Sequence, residues 1–146
     1  MSGHLLDTSI VSALAPDRRG QSEALLAWLR RGEPLYLPVV AIAEIEQGIC
    51  KLRRAGGGER AERLSGWLER LIDQFGDRML HIDTAVARRA GALSDQAKAA
   101  GNHPGFADVL IAATVTVHGL AVATLNTRHF TPLGIDCVDP SAEPLS

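Results

Sequence analysis

Short apolar runs alternate along this chain with segments whose apolar positions recur every three and four residues, and this alternation narrows the available folds most. Leu5-Leu6, Leu35-Tyr36-Leu37, Met79 to Ile82, Leu120 to Thr124 and Ile135 to Val138 read as strands. A helix is predicted over 20–31, with Leu25, Leu26, Trp28 and Leu29 toward the core, and another over 39–54 on the stripe Ile42, Ile45, Ile49 and Leu52. Further helices follow over 59–75, with Leu64, Trp67, Leu68, Leu71 and Ile72 inward, over 84–100 and over 106–118. Thr8-Ser9 can cap a turn of helix after the first strand, and a turn covers 127–130. Gly56-Gly57-Gly58 and Gly101 to Gly105 break the pattern as loops. Strands that alternate with helices form parallel sheets covered on both faces. The expectation is therefore an α/β fold, a three-layer α/β/α domain around a mostly parallel sheet of four to five strands, with residues 1–146 as one domain.

With 146 residues, 46% of them apolar, and a mean hydropathy of +0.05, the chain can bury one sizeable core. No apolar run approaches the roughly 20 residues of a membrane span. The opening MSGHLLDTSIVSALA lacks a basic start and carries Asp7 within its apolar part, so it reads as a strand and turn rather than a signal peptide. A cytoplasmic protein is expected. Cys50 and Cys137 have no short metal-ligand spacing and read as small core residues, with a disulfide between them as the alternative. The net charge of −2 speaks against a broad basic face for nucleic acid. Local basic clusters at Arg18-Arg19, Arg30-Arg31 and Lys51 to Arg63 read either as solvated helix faces or as a rim that guides RNA.

Three carboxylates, Asp7, Glu44 and Asp108, stand alone in apolar surroundings that an α/β/α fold places beside the sheet. Burying each without a partner costs several kcal/mol, and a shared divalent cation removes that cost. Oxygen-only ligands suit Mg²⁺ or Mn²⁺. Each acid also has a plainer reading: Asp7 as a helix cap, Asp108 as an acid favoured by a helix dipole, Glu44 as a solvated helix residue. Topology weighs against three coincidences. Asp7 ends strand one, while Glu44 and Asp108 lie in the opening turns of helices that run antiparallel to the strands, so all three face the carboxyl edge, where open α/β sheets bind ligands.

LLDTSIVSALA, IAEIEQGI and FADVLIAATVTVHGLAVATLNTRHF together resemble the PIN domain of VapC-type toxin ribonucleases, from Leu5 to about Val138. The resemblance implies an Mg²⁺- or Mn²⁺-dependent endoribonuclease that cuts cellular RNA, transfer or ribosomal RNA commonly. It also implies a homodimer and a small VapB-type antitoxin that neutralises it. By the same likeness Asp7, Glu44 and Asp108 take the places of the family's acidic triad, with Thr8 or Ser9 and Thr124 beside the metal site. The chain departs from the pattern after strand four, where Asn126 and His129 stand in the places that usually offer another acid. Asn126 retains a carbonyl for a metal or its water. His129 is a poor Mg²⁺ ligand but compatible with Mn²⁺, and a phosphate contact or simple packing are its other readings. A second metal has few anionic ligands left to hold it.

The chemistry expected is phosphodiester hydrolysis, with Asp7 and Asp108 holding a cation that activates water and Glu44 completing its shell or orienting that water. No Ser-His-Asp or Cys-His arrangement competes, and the glycine triplet lacks the strand and the Lys-Ser/Thr ending of a phosphate loop. The alternative is a catalytically impaired PIN-like module that binds antitoxin or RNA without cleavage. A receiver would need a paired acid near strand one and a late lysine. A phosphatase using Asp7 would need an acid where Ser9 stands.

Overall fold

The structure, a computed structural model, describes residues 2–16 and 22–142. Five strands form one parallel sheet in the order β3-β2-β1-β4-β5: β1 (His4–Leu6), β2 (Leu35–Pro38), β3 (Met79–Leu80), β4 (Ala121–Ala123) and β5 (Cys137–Val138). β1 is central, with His4 opposite both Leu35 and Ala121. The chain builds outward from β1 to β3, then crosses back to lay β4 on the other side. The point where strand order reverses is therefore the β1–β4 junction, and a crevice opens beyond its carboxyl end.

Helices α1 (Thr8–Ala13), α2 (Glu23–Leu29), α3 (Val39–Arg54) and α4 (Gly58–Phe75) supply one layer, and α5 (Thr84–Ala99) and α6 (Phe106–His118) the other. Side chains alternate across a strand, and each strand feeds both layers accordingly. Leu5, Leu80 and Val122 pack with Val86, Leu93, Val109 and Phe130 on the α5–α6 side. Leu6, Leu37, Met79 and Ala123 pack with Ile10, Leu25, Trp28, Ile45 and Leu68 on the other. This is the expected α/β/α arrangement. No helix among the described residues is long and apolar enough to cross a membrane.

Several expectations shift in detail. Thr8-Ser9 opens a helix of six residues, longer than a single turn. Of the 20–31 helix, residues 23–29 are helical, while positions 20 and 21, like Arg18-Arg19, lie outside the described residues. Leu25 and Trp28 face inward, and Leu26 is only partly buried. Ile72 is 39% exposed because the buried stripe of α4 runs through Ala61, Leu64, Leu68, Leu71 and Phe75, and Ile72 stands about 100° around the helix from Leu71. Cys50 is exposed for the same reason, one position past the buried Ile49, and is not the core residue expected. Both cysteines are free thiols. Val11 and Ile49 are core residues.

The loop between α5 and α6 decides where Asp108 sits. α5 ends on Gly101, at φ +82°, and Asn102 N–H bonds back to Ala97 C=O while Gly101 N–H bonds to Lys98 C=O. This pair of bonds closes a left-handed helix stop that favours glycine. Residues 102–105 then lead into the first turn of α6.

Candidate active site

Asp7 follows β1 and continues its ladder, its N–H donating to Ala123 C=O at 2.9 Å. The residue is 6% exposed and occupies the cap position of α1, yet its side chain makes no capping bond. Instead Ser9 Oγ and Thr124 Oγ1 both donate to Asp7 Oδ2, each at 2.8 Å. The two hydroxyls are themselves held by backbone: Leu125 N–H donates to Ser9 Oγ and Asn126 N–H to Thr124 Oγ1, both at 3.0 Å. Each hydroxyl owns one proton and has given it to Asp7, so the 3.3 Å approach of Ser9 Oγ to Thr124 Oγ1 adds no bond of its own. No described residue bonds to Oδ1. The capping reading of Asp7 gives way to a braced carboxylate.

Glu44, in the second turn of α3, is exposed and accepts a 2.6 Å bond from Thr8 Oγ1. Thr8 thereby ties α3 to the residue that follows Asp7. Asp108 stands in the first turn of α6, capped by Gly105, where the helix dipole favours a negative charge. Burial pushes its carboxyl above the ordinary 3.8, the charge of Asp7 adds to that rise, His129 offsets part of it, and Glu44 adds again. The charges of Asp7 and Glu44 therefore both act on Asp108 across one crevice.

His129 comes from the 3-10 turn Thr127–His129 after β4, and its Nδ1 lies 3.5 Å from Asp108 Oδ2. Among the described contacts it alone sets a nitrogen base against Asp7 or Asp108. Asn126 reaches the site through its backbone, and no described residue bonds to its side chain. Beside Asp108 and His129 the crevice widens into a cavity of about 330 Å³ that Asn102, His103 and Arg128 also line. Arg128 was not singled out in the sequence and His103, without ligand spacing, read there as an ordinary residue, since a single basic residue in a loop carries no periodic signal.

Residues 4–132 match the profile of the PIN domain. The chain belongs to the PIN-domain family. It is 34% identical to a VapC ribonuclease Y4jK of Sinorhizobium fredii over 142 residues, covering 93% of this chain and 96% of that protein. It is 32% identical to the toxin FitB of Neisseria gonorrhoeae, with the same shares covered. The crystal structure of FitAcB from Neisseria gonorrhoeae superposes with a TM-score of 0.84 at 31% identity, over 98% of this PIN domain and all of that chain.

The donor set of this PIN-domain crevice suits a hard, oxygen-preferring cation: a buried carboxylate with one unbonded oxygen, and Asp108, whose ionisation burial and the charges of Asp7 and Glu44 make costly. Among the described residues no three His, Cys, Asp or Glu side chains stand close enough to ligate one ion together. A cation here would take one or two carboxylates directly and fill the rest of its shell with water.

Proposed function

We propose that this chain, working as a single PIN-like domain, is a divalent-metal-dependent endoribonuclease, the toxin of a toxin–antitoxin pair. The observation that carries the reading is the braced Asp7 carboxylate at the carboxyl end of the central strand, with the charges of Glu44 and Asp108 acting on the same crevice. The ribonuclease names of its relatives support the same activity.

Asp7 and Asp108 would hold Mg²⁺ or Mn²⁺ directly, and Glu44 through water. A bound cation would supply a Lewis acid for the phosphodiester and neutralise charge that grows there. Ser9 and Thr124 spend their protons on Oδ2 and so keep the second oxygen of Asp7 turned to the crevice. Glu44, steadied by Thr8, orients the attacking water and accepts its proton. Arg128 and His103 face a phosphate on the neighbouring nucleotide.

An antitoxin segment fits the second groove of the molecule. That groove, about 330 Å³ between α1, α3 and α4, is lined by Ile45, Ile49, Leu52, Leu64 and Trp67 and opens onto Glu44 at the site. Capture of an apolar helix there would cover the crevice from one side. A homodimer in the cytoplasm completes the reading, with RNA as substrate.

The test is cleavage of total cellular RNA by the purified, antitoxin-free chain with Mg²⁺, with Mn²⁺ and with EDTA, beside Asp7→Asn. Discrete fragments that require both metal and Asp7 are expected. A folded sample that cuts nothing with either metal would move the chain to the alternative, a PIN-like module that binds antitoxin or RNA without cutting, and restoring Asp at position 126 or 129 would then be expected to raise activity.

A further inference from the structure

Among the Phe, Trp and Tyr side chains of this protein, all but Phe106 are buried or half-buried. Trp28 meets the His4 ring at 5.0 Å, and Arg78 covers Phe75 at 4.8 Å. Phe106 is 67% exposed, against 38–40% for Ile72, Ile82 and Val117, the other large apolar side chains in water. Ile72 lies in the other helical layer, and Val117 stands about three turns further along α6. Phe106 is the first residue of α6, and its backbone is fixed there: Gly105 caps the helix and its C=O accepts Val109 N–H at 3.1 Å, with the Val109 side chain buried beneath. Asp108 folds back over this same turn, so that a Cβ added at Gly105 would lie 3.7 Å from its Oδ2. Gly105 in turn lines the cavity of about 330 Å³ shared with Asn102, His103, Asp108 and Arg128. That volume is at the small end of ligand pockets.

We propose that Phe106 is a base-stacking platform that sets specificity: it takes the base of an unpaired nucleotide next to the scissile phosphate, while Asn102, His103 and Arg128 hold that nucleotide in the cavity. The inference rests on the ribonuclease reading above and adds to it the class of substrate, single-stranded RNA with a purine at one defined position. A nucleobase covers the exposed ring with its face and keeps its polar edges toward the cavity. In a duplex the bases are stacked on one another and offer no free face, so the position must be unpaired. Stacking strength grows with the area of the base, which favours the two-ring purines. A protein partner would want more apolar surface around the ring than Asn102, His103 and Asp108 supply.

The experiment uses the full-length, antitoxin-free protein and two variants: Phe106→Leu, which keeps an apolar side chain without a π-face, and Phe106→Tyr, which keeps the face. Cleavage sites in total cellular RNA are mapped by sequencing. Binding is read separately on the same proteins carrying Asp7→Asn, from the fluorescence of a short oligouridine with one 2-aminopurine. Wild type and Phe106→Tyr are expected to cut beside unpaired purines and to quench the 2-aminopurine. Phe106→Leu is expected to melt at the wild-type temperature, to lose the quench and the purine preference, and to cut about tenfold more slowly. An unchanged quench and base preference in Phe106→Leu overturn the inference while the nuclease stands. So does a changed oligomeric state of Phe106→Leu with RNA binding intact, which would make the ring a protein contact. A Phe106-dependent quench in a protein that cuts no RNA upholds the platform and removes the nuclease.

Discussion

Thr124 and Asp7 lie 117 positions apart in sequence and are joined by a 2.8 Å bond from hydroxyl to carboxylate at the carboxyl end of adjacent strands. The bond exists because Leu6 pairs with Ala123 in register, so the next residue of each strand leaves the sheet at the same level. Backbone geometry thus places a proton donor against the one buried acid of the crevice.

Thr124→Val keeps the shape and removes that donor, and it also strips Asn126 N–H of its acceptor. Leaving buried polar groups unpaired costs about 1–3 kcal/mol each. The melting temperature is expected to drop by several degrees and cleavage by about 10–100-fold, as when an outer partner of a metal ligand is lost. Thr124→Ser, which restores the hydroxyl, should recover most of both. Thermal melts and initial cleavage rates of the two variants check this.

Asp7→Asn and Asp108→Asn are expected to cost more than about 100-fold in cleavage, above the loss from an outer partner, without loss of the fold. Circular dichroism and cleavage measured on the same samples separate the two effects. Full activity in both variants would sink the nuclease reading.

The proton on Asp108 sets a pH dependence. Because burial and Asp7 raise its pKa in the folded chain, the folded state binds that proton more tightly than the unfolded state. Metal-free stability attributable to this group is therefore full below the ordinary aspartate value of 3.8 and declines as pH rises through the raised value. Asp108→Asn should remove this decline and make the metal-free protein more stable than wild type at neutral pH. A saturating divalent ion should do the same for wild type by favouring the carboxylate. Urea melts from pH 4 to 8, with and without metal, test both; an identical pH profile in Asp108→Asn would contradict the assignment.

Gly3 enters β1 at φ +127°, and a Cβ there would overlap the Pro34 carbonyl, the same oxygen that accepts His4 N–H at 3.1 Å. Gly3→Ala combines backbone strain with displacement of that bond. The expected loss is about 2 kcal/mol or more, seen as a lowered urea midpoint with an unchanged slope.

The elements and the edge on which the acids meet were legible in the sequence because both follow from local pattern. Periodicity marks a helix, and a helix between parallel strands must start at the carboxyl edge, which brings Glu44 and Asp108 toward Asp7. The order β3-β2-β1-β4-β5 was not legible, since no local pattern says which strand lies beside which. For that reason Ser9 and Thr124 appeared in the sequence only as hydroxyls near the site, while the structure shows both bonded to the same oxygen. The exposure of Ile72 and Cys50 was missed because an apolar residue one position off a buried stripe looks the same in a sequence as one on it. His129 had three readings in the sequence, and the structure adds that its Nδ1 lies 3.5 Å from Asp108 Oδ2, a neighbour that no local pattern reveals.

Thr124 follows β4 and is synthesised after all three acids of the crevice. A ribosome-bound chain extruded only through α6 already holds Asp7, Glu44 and Asp108, but it has neither the β1–β4 pairing that seats Asp7 nor the turn that carries His129. Cutting competence thus waits until the ribosome has delivered the chain beyond β4, because only then can the partners that brace Asp7 reach it.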